Sequence, residues 1–219
     1  MNPTDDYAAI RKEYEEAGIS HDQLPNDPME LFRQWYQNAV EHQPADWSEP
    51  NAMALATSDS AGNVSNRIVL LKGITDVGVQ FFTHYDSQKG TQIAANPKAA
   101  ATFHWAYLGR QVRVVGAVEK TSREVSEEYF HSRPRGAQLS AAVSPQSSPI
   151  PSRAELQQQA KLLNEQLNGQ PVPLPERWGG FLIIATRIEF WQGRPDRCHD
   201  RAVYLKQEDG QWDRLRIAP

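Results

Sequence analysis

The stretch between residues 52 and 120 constrains the fold most, because short apolar segments alternate there with tight turns. Alternation of apolar and polar side chains indicates half-buried strands. Short strands with tight links are typical of an antiparallel sheet or barrel. The sheet should continue near the C-terminus, where a hairpin crosses Asp209-Gly210. The predicted strands are 52–58, 79–84, 99–107, 111–120, 181–185, 187–192, 202–206 and 211–217, with an apolar segment between charged ends at 67–72.

Capping motifs and apolar spacing predict helices before, within and after this sheet. Asp27–Glu30, Thr121–Glu124 and Ser152–Glu155 each resemble a capping box. No Pro/Gly/Ser-rich stretch is long enough to separate two domains. We therefore predict one α+β domain over residues 1–219, with residues 1–25 as a mobile N-terminal segment. The predicted helices are 5–17, 28 to about 42, 87–96, 121–133, 136–143 and 152–169.

Composition excludes several functional classes. The net charge of −4 argues against nonspecific nucleic-acid binding. The single cysteine, Cys198, cannot form an internal disulfide or a cysteine-based zinc cluster, and one thiol fits a reducing cytoplasm. The first residues are polar and acidic rather than those of a signal peptide, and no apolar run reaches the length of a membrane span. We expect a cytoplasmic protein without membrane or nucleic-acid partners.

Common cofactor and catalytic motifs are absent from the sequence. A Gly-x-Gly-x-x-Gly after a strand and a P-loop are both missing, so neither device holds a nucleotide-like cofactor. The six histidines are scattered and no His-Glu-x-x-His occurs, so we expect no metal site. A Gly-x-Ser-x-Gly elbow is missing as well. On an extended chain Cys198 would point away from its neighbours Arg197 and His199, which favours a small buried residue over a catalytic thiol.

Arg187–Arg201 is the segment with the most suggestive chemistry. It alternates as a strand up to Trp191 and then enters a turn. Beyond the turn, Arg197, His199 and Arg201 are spaced two residues apart, so they share one face if the segment is extended. Two guanidinium groups and an imidazole near a tryptophan suit a planar, anionic, aromatic ligand. The alternative is a hairpin end with solvated charges.

Further cations occur at the predicted ends of strands and helices. Arg67 and Lys72 are an odd number of positions apart, so a regular strand would project them to opposite faces. Lys89 lies where a helix should begin, a place that favours phosphate. Tyr129 and Arg133 are four residues apart and share a helix face. These groups suggest binding of two phosphates, although spacing leaves open that each is an exposed charge.

Together these segments resemble the pyridoxamine 5′-phosphate oxidase family, from about Arg11 to Pro219. The two C-terminal segments are the most specific. The segments that carry the resemblance are Arg67–Lys72, Arg110–Val114, Tyr129–Arg135, Gln146-Ser147, Trp178–Gly180, Glu189–Gly193 and Arg197–Arg201.

The resemblance implies an FMN-binding split β-barrel with flanking helices, and FMN at the interface of a homodimer. It implies oxidation of pyridoxamine 5′-phosphate and pyridoxine 5′-phosphate to pyridoxal 5′-phosphate, with O2 as acceptor and H2O2 as product. The residues that would hold FMN are Arg67, Ile68, Val69, Leu70, Leu71, Lys72, Phe82, Thr83, Gln88, Lys89, Gln111, Gln146, Ser147, Trp191 and Arg201. The residues that would contact the substrate are Arg11, Tyr14, Lys72, Tyr129, Arg133, Ala137, Arg197 and His199.

Arg197 and His199 are the catalytic candidates that the resemblance supplies. We hypothesise that hydride passes from the substrate carbon beside the ring to N5 of the flavin. Arg197 is a poor base because guanidinium stays protonated, so we expect it to orient the ring. His199 carries an imidazole, which is suited to donate to the ring hydroxyl or to accept a proton. Arg11 and Tyr14 match an Arg-x-x-Tyr of the family that can cover the site as a lid.

Three positions depart from the family pattern. Ala137 replaces a usual serine, which removes a hydrogen bond to the substrate phosphate worth about 0.5–1.5 kcal/mol and more to a charged acceptor. Gln88 replaces an arginine near the FMN phosphate, and Phe82 replaces a tyrosine. We expect weaker substrate binding from the first change, and from the other two either looser FMN binding or compensation by a neighbouring residue.

Other readings remain open from the sequence. The first is a flavin oxidase of the same fold acting on another ring, such as a phenazine precursor. The second is a non-enzymatic flavin or pyridoxal-phosphate carrier, and the third is a plain structural domain. Arg197, His199, Tyr129 and Arg133 argue against the phenazine reading, whereas Ala137 weakly favours it.

Overall fold

The structure, a computed structural model, describes residues 18–219, so the predicted helix 5–17 and the candidates Arg11 and Tyr14 lie outside the described residues. The α+β prediction with an antiparallel sheet is confirmed. The helices are α1 (Pro28–Glu41), α2 (Gln88–Ala95), α3 (Arg123–Ser132), α4 (Arg135–Val143) and α5 (Arg153–Leu167). The strands are β1 (Ala52–Ser58), β2 (Val64–Leu70), β3 (Gly73–Ile74), β4 (Gly78–His84), β5 (Lys98–Trp105), β6 (Arg110–Lys120), β7 (Trp178–Gln192), β8 (Asp200–Lys206) and β9 (Trp212–Arg216).

The described chain forms two compact units. The first comprises the described residues up to Pro50 together with Phe103–Arg113 and Arg187–Pro219, and the second comprises Asn51–Thr102 and Val114–Thr186. That the whole chain behaves as one domain remains a prediction.

The second unit is built on antiparallel strands in the order β2-β1-β5-β6-β7-β4-β3. β1 pairs with β2 so that Leu55 lies opposite Arg67, and β4 pairs with β7 so that Phe82 lies opposite Gly180. A Cβ on Gly180 would collide with Thr121 Oγ1, and one on Gly179 would collide with the Tyr85 hydroxyl. The Trp178-Gly-Gly sequence is therefore required by the close approach of neighbouring side chains.

A helical cluster of the second unit packs around Trp178. Phe130, Leu139, Ala141 and Val172 are buried with it, and α5 adds partly buried side chains. Burial of each large side chain contributes about 1.5–3 kcal/mol. This cluster fixes α3 and α4, which carry Tyr129 and Ala137 of the predicted substrate residues.

The first unit packs α1 on aromatic side chains. The Asp27 side chain accepts from Met29 N at 2.9 Å, and Pro28 occupies the first helical turn, as the capping box predicts. Phe32 is buried with its ring 5.1 Å from that of Phe103. In the same unit β7 pairs with β8, and β8 with β9, which confirms the predicted hairpin.

Two local predictions are wrong. The strands predicted at 181–185 and 187–192 are one continuous strand, β7, because Thr186 is β-branched and its hydroxyl donates to the Val115 carbonyl at 3.2 Å. Ser122, not Thr121, caps α3: its hydroxyl accepts from Val125 N at 3.3 Å, which places the start of the helix one residue later than the sequence motif.

Candidate cofactor and substrate pocket

The second unit contains a cavity of about 420 Å³ between its sheet and α2, α3 and α4. This volume lies within the usual range of small-molecule sites. Its lining combines four arginine or lysine side chains with three aromatic rings. The lining residues are Arg67, Ile68, Val69, Leu70, Lys72, Phe82, Thr83, His84, Lys89, Tyr129, Arg133, Ser140, Ala141, Ser144, Gln146 and Trp178.

Arg67 forms one corner of the pocket from β2. Its Nη1 donates to Thr57 Oγ1 at 2.6 Å and to the Leu55 carbonyl at 3.2 Å, and its Nη2 donates to Ser65 Oγ at 2.6 Å. Burial lowers the pKa of Arg67, but a guanidinium stays protonated in proteins. Its partners are all neutral, so they orient the guanidinium without cancelling its charge.

Lys89 lies beside this corner on the first turn of α2. Ser87 caps that helix, as predicted, by accepting from Gly90 N. Lys89 is buried, and its Nζ donates to Thr83 Oγ1 at 3.1 Å and to Gln146 Oε1 at 3.2 Å. Burial, and then the positive charge of Arg67, lower the pKa of Lys89 to about 8. A buried ammonium with neutral partners favours an incoming anion.

Aromatic rings line another wall of the pocket. The Phe82 and Tyr129 rings stack with centroids 4.1 Å apart, and Phe82 also stacks on Trp178 at 5.6 Å. The Arg133 guanidinium lies 5.0 Å from the Trp178 ring, and Lys72 Nζ lies 5.9 Å from the Tyr129 ring. Cations over aromatic faces suit a ligand that joins a flat ring to a phosphate.

Arg133 has a donor left unused. Its Nη1 is buried and has no hydrogen-bond partner among the described residues. A buried polar group left unsatisfied costs about 1–3 kcal/mol, and more if it is charged. The backbone is held nearby, because Gln138 Nε2 donates to the Arg133 carbonyl at 2.7 Å. The backbone of Arg133 is therefore held in place, and its guanidinium keeps a hydrogen bond available to a ligand.

The pocket brings together most of the candidates that lie in the second unit. Arg67 and Lys72 both line it, so their predicted projection to opposite faces is wrong: β2 ends at Leu70, and strand alternation does not extend to Lys72. Leu71 is instead buried in the core, Gln88 is exposed at the start of α2, and neither Ser147 nor Ala137 is among the lining residues.

Sequence reasoning missed five lining residues. Ser140, Ala141 and Ser144 belong to or follow α4, a helix whose pocket-facing side has no signal in sequence periodicity. Trp178 was part of a recognised segment but not a site candidate. His84 lies beside the cations, and burial first, then the charges of Lys89 and Arg133, lower the pKa of His84 despite the opposite influence of Asp86.

The remaining candidates belong to the first unit. Trp191 and His199 lie with ring centroids 4.7 Å apart. The Arg194 backbone N–H donates to His199 Nδ1 at 3.0 Å. Because Nδ1 accepts, the proton of the neutral ring resides on Nε2, which sets the tautomer that His199 can present to a ligand. Gln111 lies half-buried on β6.

The predicted shared face of Arg197, His199 and Arg201 is wrong. Residues Pro195–Arg197 form a 3-10 turn, with φ of +54° at Asp196 and +60° at Arg197, and β8 begins only at Asp200. The chain is thus not extended where the pattern requires it. The expectation of a small buried cysteine is wrong as well, because the same turn leaves Cys198 exposed.

Arg201 is tied to a buried carboxylate. Its Nε and Nη2 donate to Glu189 Oε1 at 2.9 and 2.6 Å, while Arg187 donates to Glu189 Oε2 at 3.0 Å and Arg113 lies 3.5 Å from it. Burial raises the pKa of Glu189, but hydrogen bonds from Arg201 and Arg187, together with the charges of Arg201 and Arg113, outweigh this and lower it overall. Arg201 is therefore rigidly placed beside a carboxylate that it shares with two other guanidinium groups.

The sheet and the phosphate-suited pocket define the class: an enzyme of FMN-binding split-barrel fold, as predicted. Family models match "Pyridoxamine 5′-phosphate oxidase" at residues 40–166 and "Pyridoxine 5′-phosphate oxidase C-terminal dimerisation region" at residues 178–219. The chain belongs to the pyridoxamine 5′-phosphate oxidase family and is an oxidoreductase, in agreement with the sequence prediction.

Curated relatives support this assignment over nearly the whole chain. A pyridoxine/pyridoxamine 5′-phosphate oxidase of Alcanivorax borkumensis is 49% identical over 210 residues, covering 96% of this chain and 99% of the relative. One of Pseudomonas paraeruginosa is 48% identical over 218 residues, covering 99% of this chain and 100% of the relative.

The helices of residues 18–219 include none with the length and apolar character that a membrane span requires.

Solved structures share the fold. PhzG from Burkholderia lata, in complex with tetrahydrophenazine-1-carboxylic acid, has a TM-score of 0.87 at 26% identity, covering 95% of this chain and 100% of that chain. A pyridoxamine 5′-phosphate oxidase-related, FMN binding protein of Nostoc punctiforme has a TM-score of 0.70 at 16% identity, covering 86% and 97%. The second likeness concerns the fold alone.

Proposed function

We propose that this chain is an FMN-dependent oxidase that converts pyridoxine 5′-phosphate and pyridoxamine 5′-phosphate to pyridoxal 5′-phosphate in the cytoplasm. The observation that carries the proposal is the pocket of the second unit, in which Arg67, Lys72, Lys89 and Arg133 surround stacked aromatic rings. None of these four cations forms an ion pair with a carboxylate among the described residues. The names of the relatives give the substrate class.

The residues present fit FMN. Arg67 and Lys89 would hold its phosphate with charge-assisted hydrogen bonds, and residues 68–70 would border the flavin with apolar side chains and backbone groups. When bound, FMN would accept a hydride equivalent from the substrate and pass two electrons to O2, giving H2O2. Thr83 and Gln146 would keep the Lys89 ammonium aimed at the phosphate, because both already accept from it.

The substrate phosphate would be bound by Lys72, Tyr129 and Arg133. Arg133 contributes the unsatisfied Nη1 donor, and Lys72 contributes a mobile ammonium near the Tyr129 ring. Arg197 would orient the pyridine ring rather than abstract a proton, since its guanidinium remains charged. His199 would donate through Nε2 to the ring hydroxyl, because its Nδ1 already accepts from Arg194 N.

A homodimer is part of the same proposal. Residues 178–219 match a region described as a dimerisation region, and this match includes Trp191, Arg197, His199 and Arg201. Isologous dimers commonly complete a site with residues from both copies.

An absorption spectrum of the purified protein tests the proposed function. We expect a flavin spectrum that bleaches when pyridoxine 5′-phosphate is added without oxygen, and recovers with H2O2 release when air is admitted. A flavin spectrum that no phosphorylated B6 compound changes would contradict the oxidase and favour a carrier. Complete absence of bound flavin, even after incubation with FMN, would contradict both.

A phenazine-type oxidase is the second candidate, because the PhzG structure shares the fold closely and was solved with a phenazine compound. The curated pyridoxine/pyridoxamine 5′-phosphate oxidases are nearly twice as similar in sequence, at 48–49% against 26% identity. Parallel assays with pyridoxine 5′-phosphate and a reduced phenazine carboxylic acid separate the two. Faster flavin reduction by the phenazine would overturn the first proposal.

A further inference from the structure

Ser140 offers a hydroxyl to the pocket from α4, the helix on which Ala137 has none. Both residues belong to α4, three positions apart, and such residues are neighbours on a helix surface. Ala137 is half-buried and does not line the cavity, whereas Ser140 is exposed and lines it together with Lys72, Tyr129 and Arg133. The serine that α4 presents to this cavity is therefore one turn later than the position that the resemblance names.

The Ser140 hydroxyl is available to a ligand. A helical serine often donates to the carbonyl four residues earlier, which would occupy its proton. Among the described residues, the Ser140 hydroxyl has no hydrogen-bond partner, while the Ser140 carbonyl accepts from Ser144 N at 3.0 Å. Its hydroxyl can therefore turn toward an anion in the cavity and donate without breaking an existing side-chain hydrogen bond.

The neighbouring groups indicate which ligand group Ser140 would meet. Gln138, two residues before Ser140, donates to the Arg133 carbonyl at 2.7 Å and so ties α4 to the Arg133 side of the pocket. Ser144 lies two residues from Gln146, which contacts Lys89 and the proposed FMN phosphate side. Ser140 lines the same cavity as Arg133, whose Nη1 donor is unsatisfied, so an anion bound by Arg133 is the ligand group that we assign to Ser140.

We propose that Ser140 donates a hydrogen bond to the phosphate monoester of the substrate and so replaces the hydroxyl that Ala137 lacks. The inference rests on the proposed function. From the sequence, Ala137 predicts weaker substrate binding. If Ser140 supplies the missing hydroxyl, we no longer expect that loss of affinity. With Ser140 in this role, the phosphate subsite keeps a hydroxyl, an ammonium, a phenol and a guanidinium.

Steady-state kinetics of FMN-loaded variants test the role of Ser140. We expect Ser140→Ala to raise KM for pyridoxine 5′-phosphate about tenfold, equivalent to about 1.4 kcal/mol, with kcat and the Kd of FMN unchanged. The inhibition constant of inorganic phosphate should rise by a similar factor, because the lost bond is to phosphate. Ser148→Ala, an exposed serine outside the pocket, is the matched control and should behave as wild type.

A rescue experiment separates this role from a folding defect. Ser140→Thr keeps the hydroxyl and should retain most of the affinity, whereas Ala137→Ser in the Ser140→Ala background should not restore it, because position 137 does not line the cavity. An unchanged KM and phosphate inhibition in Ser140→Ala would overturn the inference while leaving the proposed function intact. A wild-type protein that oxidises no B6 phosphate would overturn both.

Discussion

One group of cations in each unit shows the two opposite electrostatic states. In the second unit, Arg67 and Lys89 are surrounded by hydroxyl, amide and carbonyl groups, so their charges remain uncompensated. In the first unit, Arg201 and Arg187 share the buried carboxylate of Glu189. A cation with neutral partners is prepared to receive an anion, whereas a cation paired inside the protein mainly fixes its own position. We therefore expect the second unit to supply phosphate binding and the first to supply rigidly placed side chains.

Removal of Glu189 should give the largest effect on stability. Glu189→Ala leaves Arg187 and Arg201 without their shared carboxylate, and loss of one partner of a buried pair costs about 3–5 kcal/mol. Partial exposure of these arginines puts the expected loss near the lower limit. Urea unfolding measures it, with Glu165→Ala, an exposed member of an i,i+4 pair, as the control. A loss below about 1 kcal/mol would contradict the structural role of the cluster.

The stability supplied by Glu189 should also depend on pH. The pKa of this carboxyl is lowered in the folded protein. Its contribution is therefore complete above the unfolded pKa of about 4.3 and is lost as pH falls further. Glu189→Gln should flatten the acid limb of the unfolding free energy between about pH 5 and pH 3. An unchanged acid limb would show that other carboxylates dominate.

Arg67→Ala should give the largest effect on cofactor binding. The variant removes a fixed guanidinium, and hydrogen bonds to charged groups are worth about 1.5–3 kcal/mol, so the Kd of FMN should rise by roughly 100-fold. Equilibrium titration of the apoprotein by flavin fluorescence measures this. Arg177→Ala removes an arginine of the same unit that is exposed and paired with Asp86, and should leave the Kd unchanged. An equal rise in the Kd of FMN in both variants would contradict the claim that only cations without a carboxylate partner bind the phosphate.

Arg197→Ala should affect turnover more than cofactor retention. Misplacement of a substrate ring by about 1 Å costs on the order of 100-fold in rate, so we expect kcat to fall by about that factor with FMN still bound. Single-turnover bleaching of the flavin, followed together with the FMN content of the purified variant, checks both parts. Unchanged turnover would refute the orienting role, and loss of FMN would place Arg197 with the cofactor instead.

The smallest predicted effect is the pH dependence that Lys89 gives to FMN affinity. Its pKa is about 8 in the free protein, and a bound phosphate should raise it. The contribution of Lys89 is therefore complete below pH 8 and falls by up to about tenfold per pH unit above it, until the pKa of the complex is reached. Lys89→Arg keeps its charge and should remove this dependence. A flat profile for the wild type would contradict a direct contact with phosphate.

Local signals in the sequence predicted helices and strands better than they predicted which distant side chains come together in the site. β1, the Ser87-capped α2 and the β8–β9 hairpin follow from nearby residues, and the structure has them where expected. The approach of Lys72 to Tyr129 depends on where β2 ends, and the path of Arg197 depends on a left-handed turn. Residue spacing predicts neither feature. Side chains alternate between faces only while a strand continues, so an error of one residue in where a strand ends assigns every later side chain to the wrong face.

In the candidate site, too, the sequence identified residues but not the contacts that they make in the folded chain. Recognised segments identified the cations, but the pairing of Arg201 with Glu189 is made across neighbouring strands, where Trp191 rather than Glu189 lies opposite Arg201 in the register. Ser140 and His84 were missed because the resemblance assigns no role to these positions. The helix face that α4 turns to the cavity emerges only from its packing on Trp178.

The relative affinity of the apoprotein for FMN and riboflavin tests the central claim most directly, because the two ligands differ only in the phosphate. If the uncompensated charges of Arg67 and Lys89 form the phosphate site, FMN should bind at least about 100-fold more tightly than riboflavin, and Arg67→Ala should remove most of that difference. Equal affinities in the wild type would contradict the claim.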